Sequence, residues 1–93
     1  MDILAAGINH TTAPLALREA LYYDAEAMRP FLRDFLETAP AEGAVGLCTC
    51  NRTEFYVATR RPEAILDALV TALERSRGIN LSAQRSSIYL HRD

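Results

Sequence analysis

An α+β fold is predicted for this chain: an antiparallel four-stranded sheet with two main helices on one face. Three observations predict it. Apolar runs of strand length and apolar stripes of helical period follow one another in the order strand, helix, strand, strand, helix, strand. The middle two strands are separated by too few residues for anything but a hairpin. The chain has 93 residues, 49% hydrophobic and 24% charged, enough for one small core and no second one. Residues 1–93 therefore read as a single domain, a ferredoxin-like split β-α-β-β-α-β sandwich.

Each element has a local reason. Ile3 to Ile8 is a continuous apolar run that stops at Asn9-His10-Thr11-Thr12-Ala13-Pro14, which reads as a buried central strand followed by a loop. Leu15 to Tyr23 is short and ambiguous; Leu17 and Leu21 have helical spacing, and Pro14 suits the first residue of a brief helix. Asp24 can cap a longer helix in which Met28, Phe31, Leu32, Phe35 and Leu36 form an apolar stripe. Pro30 falls inside that stripe and should bend the helix or move its start, since an unrelieved interior proline costs about 3 kcal/mol.

After Ala39-Pro40-Ala41-Glu42-Gly43, the run Ala44 to Cys48 reads as a short buried strand. Thr53 to Thr59 sets Phe55 and Val57 against Glu54 and Tyr56, the alternation of a half-buried strand. The hairpin between them turns over Thr49 to Arg52, where Asn51 best tolerates a left-handed backbone. Pro62 opens the second helix, whose buried face is Ile65, Leu66, Leu69, Ala72 and Leu73, and Gly78 ends it. Ser87 to Leu90 is the last strand, with Ile88 and Leu90 on one face. In the strand order 4-1-3-2 the end of the first strand and the central hairpin share one edge. His10 and Cys50 should then be neighbours, with His91 distant from both.

Composition removes several function classes. All ten basic residues are Arg, so neither a Schiff-base lysine nor a phosphate-loop lysine exists in this chain. The net charge of −2 gives no global attraction to nucleic acid, and Arg60-Arg61 with Arg75, Arg77 and Arg85 read as a solvated surface in preference to a local basic patch. No apolar stretch is long enough for a membrane span and no signal peptide opens the chain, so a reducing cytoplasm is the expected setting. Cys48 and Cys50, one residue apart, are too close for an unstrained disulfide and read as free thiols. A zinc site from Cys48, Cys50, His10 and His91 is disfavoured by the Cys-x-Cys spacing and by the two histidines falling at opposite ends of the sheet. No metal is expected.

Cys50 is the candidate nucleophile. It falls where an apolar run stops at a polar turn, beside Arg52 and exposed backbone N–H groups, conditions that favour a reactive thiol. The competing reading is a buried hydrophobic cysteine, with Thr49 and Asn51 as ordinary turn residues and Arg52 as a surface cation. A non-catalytic ferredoxin-like RNA-binding or interaction module is the alternative function. It lacks support in the glycine-flanked aromatic strand motif of such modules, for which Phe55 and Tyr56 are poor substitutes.

Two segments together carry a family resemblance: Gly7-Ile8-Asn9-His10 with Thr12-Ala13-Pro14 and Arg18-Glu19, then Thr49-Cys50-Asn51-Arg52-Thr53-Glu54. The chain resembles the N-terminal catalytic domain of glutamyl-tRNA reductases. The resemblance implies an oxidoreductase that converts glutamyl-tRNA(Glu) to glutamate-1-semialdehyde with NADPH, the first step of 5-aminolevulinate and porphyrin biosynthesis. It implies that Cys50 is the nucleophile that forms a glutamyl thioester and that Thr49, Asn51 and Arg52 bind the glutamyl group. A thiol suits that chemistry, because a thioester accepts hydride more readily than an oxygen ester. The NADPH-binding domain, the C-terminal dimerisation domain of a homodimer and a further histidine important for activity are all expected beyond Asp93, and His91 is not that histidine. Hand-over of the product to glutamate-1-semialdehyde aminomutase is a further partnership the resemblance implies.

Overall fold

A computed structural model describes residues 1–92. Four strands, β1 (Asp2–Asn9), β2 (Gly43–Cys48), β3 (Arg52–Thr59) and β4 (Tyr89–Arg92), form one sheet in the order β2-β3-β1-β4. Every neighbouring pair is antiparallel. Helices α1 (Leu15–Ala20), α2 (Ala25–Thr38) and α3 (Ile65–Arg77) accompany it. The expected α+β sandwich is therefore the fold, with the short segment after Pro14 resolved as a helix of its own.

The core lies between the sheet and the helices. Leu4, Ala6 and Ile8 of β1 and Phe55 and Val57 of β3 meet Phe31 and Phe35 of α2 and Ile65, Leu69 and Leu73 of α3. Leu17 and Leu21, and Tyr23 just before α2, close one end of it. Tyr23, Phe31 and Phe55 form a tilted aromatic cluster with centroid separations of 4.9 to 6.4 Å, the range in which rings attract edge to face. Leu66, expected on the buried face of α3, is only partly buried, and Val70 is buried in addition.

Caps act where the residues suggest. The Asp24 side chain accepts from the Ala27 N–H at 2.8 Å and starts α2, while Gly78, at φ 65°, ends α3 in the left-handed region. Pro30 neither ends α2 nor moves its start: the helix runs through it. Glu26, whose carbonyl lacks the proline's N–H as partner, and Pro30 are both exposed, so water can serve that carbonyl. Pro62 opens a 3₁₀ turn, Pro62–Ala64, rather than α3 itself.

Three expectations are corrected. Strand β2 is not buried: it is a sheet edge, and Val45 and Leu47 are 63% and 37% exposed on the face away from the helices. The last strand begins at Tyr89 and not Ser87, because Ser82–Ser87 forms a 3₁₀ helix. Leu90 pairs with Ala6 on the core side, but at the open edge it remains 40% exposed. Among the described residues no non-glycine has a positive φ, so Asn51 turns the hairpin without left-handed backbone. No helix among them is long and apolar enough to cross a membrane.

Candidate active site

Strands β2 and β3 are joined by Thr49, Cys50 and Asn51. The Thr49 N–H donates to the Arg52 carbonyl at 2.8 Å, and the Asn51 N–H donates to the Thr49 hydroxyl at 3.2 Å. These two bonds close the turn from within and leave the Cys50 side chain outside it, exposed. Cys48 differs. It pairs with Thr53, points toward the core side, accepts from the Tyr23 N–H at 3.2 Å and lies 3.0 Å from the Thr53 hydroxyl. The turn separates the two thiols by environment as well as by position.

The tip is held from the other side by α1. Arg18 donates through Nη1 to the Cys50 carbonyl at 3.2 Å and through Nε to the Ala13 carbonyl at 3.4 Å. A fixed guanidinium thus spans from the loop after β1 to the Cys50 peptide. Between α1 and the tip lies a cleft of about 350 Å³ lined by Leu15, Arg18, Glu19, Tyr22, Thr49 and Cys50.

Of the residues picked from the sequence, Thr49 and Cys50 share this cleft; Asn51, Arg52 and His10 do not line it. Asn9, just before His10, pairs with Arg52, and His10 itself is exposed. His91 pairs with Ala5 on β4 and stacks against Tyr89 at 5.2 Å. Arg52 lies on the sheet face away from the helices, its Nη1 3.9 Å from the Glu54 carboxylate, with its side chain half exposed. No group of three or more His, Cys, Asp or Glu among the described residues is placed to hold a metal ion.

Beside Arg52 is a cluster that sequence reasoning missed. The two oxygens of Glu54 accept hydroxyl bonds from Tyr56 and Tyr89, two strands apart in the sheet. Burial raises the Glu54 carboxyl, but the two hydroxyls, followed by the charges of Arg52 and His91, outweigh it and hold the group below its ordinary range. Burial first, then the bond to Glu54, pushes the Tyr89 phenol up. The only signal in the sequence was period two, which puts Arg52, Glu54 and Tyr56 on one face of β3. Nothing local announced Tyr89. Nor did anything local announce Arg18 and Tyr22 as neighbours of Cys50.

The family model described as Glutamyl-tRNAGlu reductase, N-terminal domain, matches residues 6–93. Among solved structures, the glutamyl-tRNA reductase from Methanopyrus kandleri matches with a TM-score of 0.62 and 22% sequence identity, over 99% of this chain and 19% of that one. At that identity the likeness is one of fold, and the present chain spans about a fifth of its solved relative.

Proposed function

The chain belongs to the glutamyl-tRNA reductase family, matching its N-terminal domain, and on that premise we propose that Cys50 takes up the glutamyl group of glutamyl-tRNA(Glu) as a thioester. The observation that carries this reading is the exposed Cys50 thiol on a turn pinned by Arg18, beside a cleft, while Cys48 is tied to Tyr23 and Thr53. An exposed sulfur on a held peptide can approach an ester carbonyl without reorganising the loop.

In the step itself the Cys50 thiol gives its proton to solvent and the sulfur attacks the aminoacyl ester carbon. A carbon–sulfur bond forms, the bond from that carbon to the ribose oxygen breaks, and the departing oxygen takes a proton from water. Thr49, Asn51 and Arg52 are proposed to hold the glutamyl group. Support for Arg52 comes from its loose 3.9 Å contact with Glu54, which leaves its planar fork available to a substrate carboxylate. An RNA-binding role for the open sheet face is opposed by Glu54, a carboxylate kept ionised in the middle of it, and by Phe55, which is buried on the other side.

The glycines of this chain do not make the phosphate-binding turn of a doubly wound NADPH site. A doubly wound dinucleotide site uses a glycine-rich turn between a strand and a helix N-terminus. Here Gly7 packs on the Thr53 and Glu54 backbone, Gly46 lies under Met28, Gly43 opens an edge strand and Gly78 ends a helix. Reduction of the thioester by NADPH to glutamate-1-semialdehyde is accordingly assigned to parts of the enzyme other than residues 1–93. Homodimerisation and hand-over to the aminomutase are proposed for the same larger assembly.

Incubation with glutamyl-tRNA followed by intact-mass measurement tests the proposal. A glutamyl adduct is expected on the wild type and on Cys48→Ser, and none on Cys50→Ser. An adduct that persists in folded Cys50→Ser would remove the assignment.

A further inference from the structure

Around the short helix α1 only the side of Leu17 and Leu21 packs on the core. Leu17 and Leu21 point inward, 7% and 2% exposed. Leu15, Arg18 and Glu19 of α1 form a second, mixed face, which Tyr22 extends just past the end of the helix. That face forms the wall of the cleft opposite Thr49 and Cys50, and its Leu15 and Tyr22 are 58% and 48% exposed. A leucine and a tyrosine exposed together in a concave wall beside a reactive thiol mark a binding surface more than a packing defect.

We infer that this cleft seats the 3′-terminal nucleotide of the aminoacyl-tRNA, with its base stacked on Tyr22 and flanked by Leu15 and its phosphate met by Arg18. The inference rests on Cys50 being the acceptor of the glutamyl group. The alcohol of the ester that Cys50 attacks is the ribose of that nucleotide, so when the sulfur reaches the carbonyl the nucleoside must lie against Cys50. The wall residues have the chemistry a nucleotide calls for: an aromatic plane and an aliphatic side chain for the base, a guanidinium for the phosphate, and the Glu19 carboxylate to accept from a hydroxyl or amino group.

The platform is also held still. The Tyr22 carbonyl accepts from Arg77 of α3, the Tyr22 N–H donates to the Glu19 carbonyl at 3.3 Å, and the next residue, Tyr23, donates to Cys48 at 3.2 Å. Arg18 is fixed at 3.2 Å from the Cys50 carbonyl. A nucleotide binding here meets side chains whose backbone is already in place, which lowers the ordering cost of binding.

The test uses uncharged tRNA(Glu) whose terminal adenosine is replaced by the fluorescent 2-aminopurine riboside. Stacking on Tyr22 should quench its emission in the wild type and in Tyr22→Phe. In Tyr22→Ala the affinity read from quenching should fall about tenfold, in keeping with the strength of base–aromatic stacking. Leu15→Ser, at an exposed position, should weaken it as well and provides a second readout if Tyr22→Ala does not fold. No quenching with the wild type, as expected if another protein segment fills the cleft, overturns the inference; so does equal quenching in folded Tyr22→Ala and Leu15→Ser. Glutamyl adduct formation measured on the same proteins separates the two claims. Quenching without an adduct keeps the nucleotide seat and removes Cys50 as acceptor, and an adduct without quenching does the reverse.

Discussion

Glu54→Gln should destabilise the protein by about 2 kcal/mol at neutral pH. A hydrogen bond to a charged acceptor contributes about 1.5–3 kcal/mol, against about 0.5–1.5 kcal/mol for a neutral one. Glutamine keeps the shape but only one accepting oxygen, so one tyrosine hydroxyl donates to a neutral carbonyl while the other must turn to accept from the amide N–H, at about 1 kcal/mol for each of the two bonds. The 3.9 Å contact to Arg52 adds little, because the arginine side chain is half exposed. The Glu54 side chain is only 12% exposed, so screening takes away little of the effect. The sign with pH follows from the lowered carboxyl. Its stabilisation is complete above the ordinary carboxyl value of 4.5 and is lost as pH falls through the lower folded value. Urea unfolding of the wild type and the variant from pH 7 to pH 3 measures this. The gap should stay constant down to about pH 5 and narrow below it. A gap that is absent at pH 7, or that widens toward acid, would refute the reasoning.

Three other outcomes follow from the same geometry. Iodoacetamide should label native protein once, on Cys50, and reach Cys48 only after unfolding, since that sulfur is engaged by Tyr23 and Thr53; peptide mapping checks the order. Phe35→Ala, at a position 1% exposed between α2 and the sheet, should cost about 3–5 kcal/mol in chemical denaturation. Gly78→Ala should cost about 1–2 kcal/mol, measured the same way, because an alanine Cβ is disfavoured at φ 65° even though open space surrounds it.

Much of the fold was legible because its signals are local. Asp24 and Gly78 act as caps through bonds within a few residues, and the stripes of α2 and α3 follow from helical period alone. Misreadings came where a local pattern met a longer-range fact. The run from Ala44 to Cys48 resembles a buried strand, but burial depends on what covers its second face, and nothing covers Val45 or Leu47 among the described residues. Ser87 belongs to the 3₁₀ helix that precedes Ile88, and that helix delays the last strand. Asn51 tolerates a left-handed turn, but the Thr49 hydroxyl and the Thr49-to-Arg52 backbone bond close the hairpin without one.

From its sequence alone this chain determined the order of its elements, the sides that face the core, and a cysteine at the tip of the central hairpin. The surroundings of that cysteine were decided by tertiary structure. Arg18 reaches Cys50 across 32 residues and Tyr23 reaches Cys48 across 25, and the cleft exists only because α1 docks beside the hairpin. The same register that brings the ends of β1 and the hairpin together puts Arg52 on the opposite face of the sheet with Glu54. Periodicity states which face a residue takes; which residues meet across two faces is set by the packing of elements far apart in the chain.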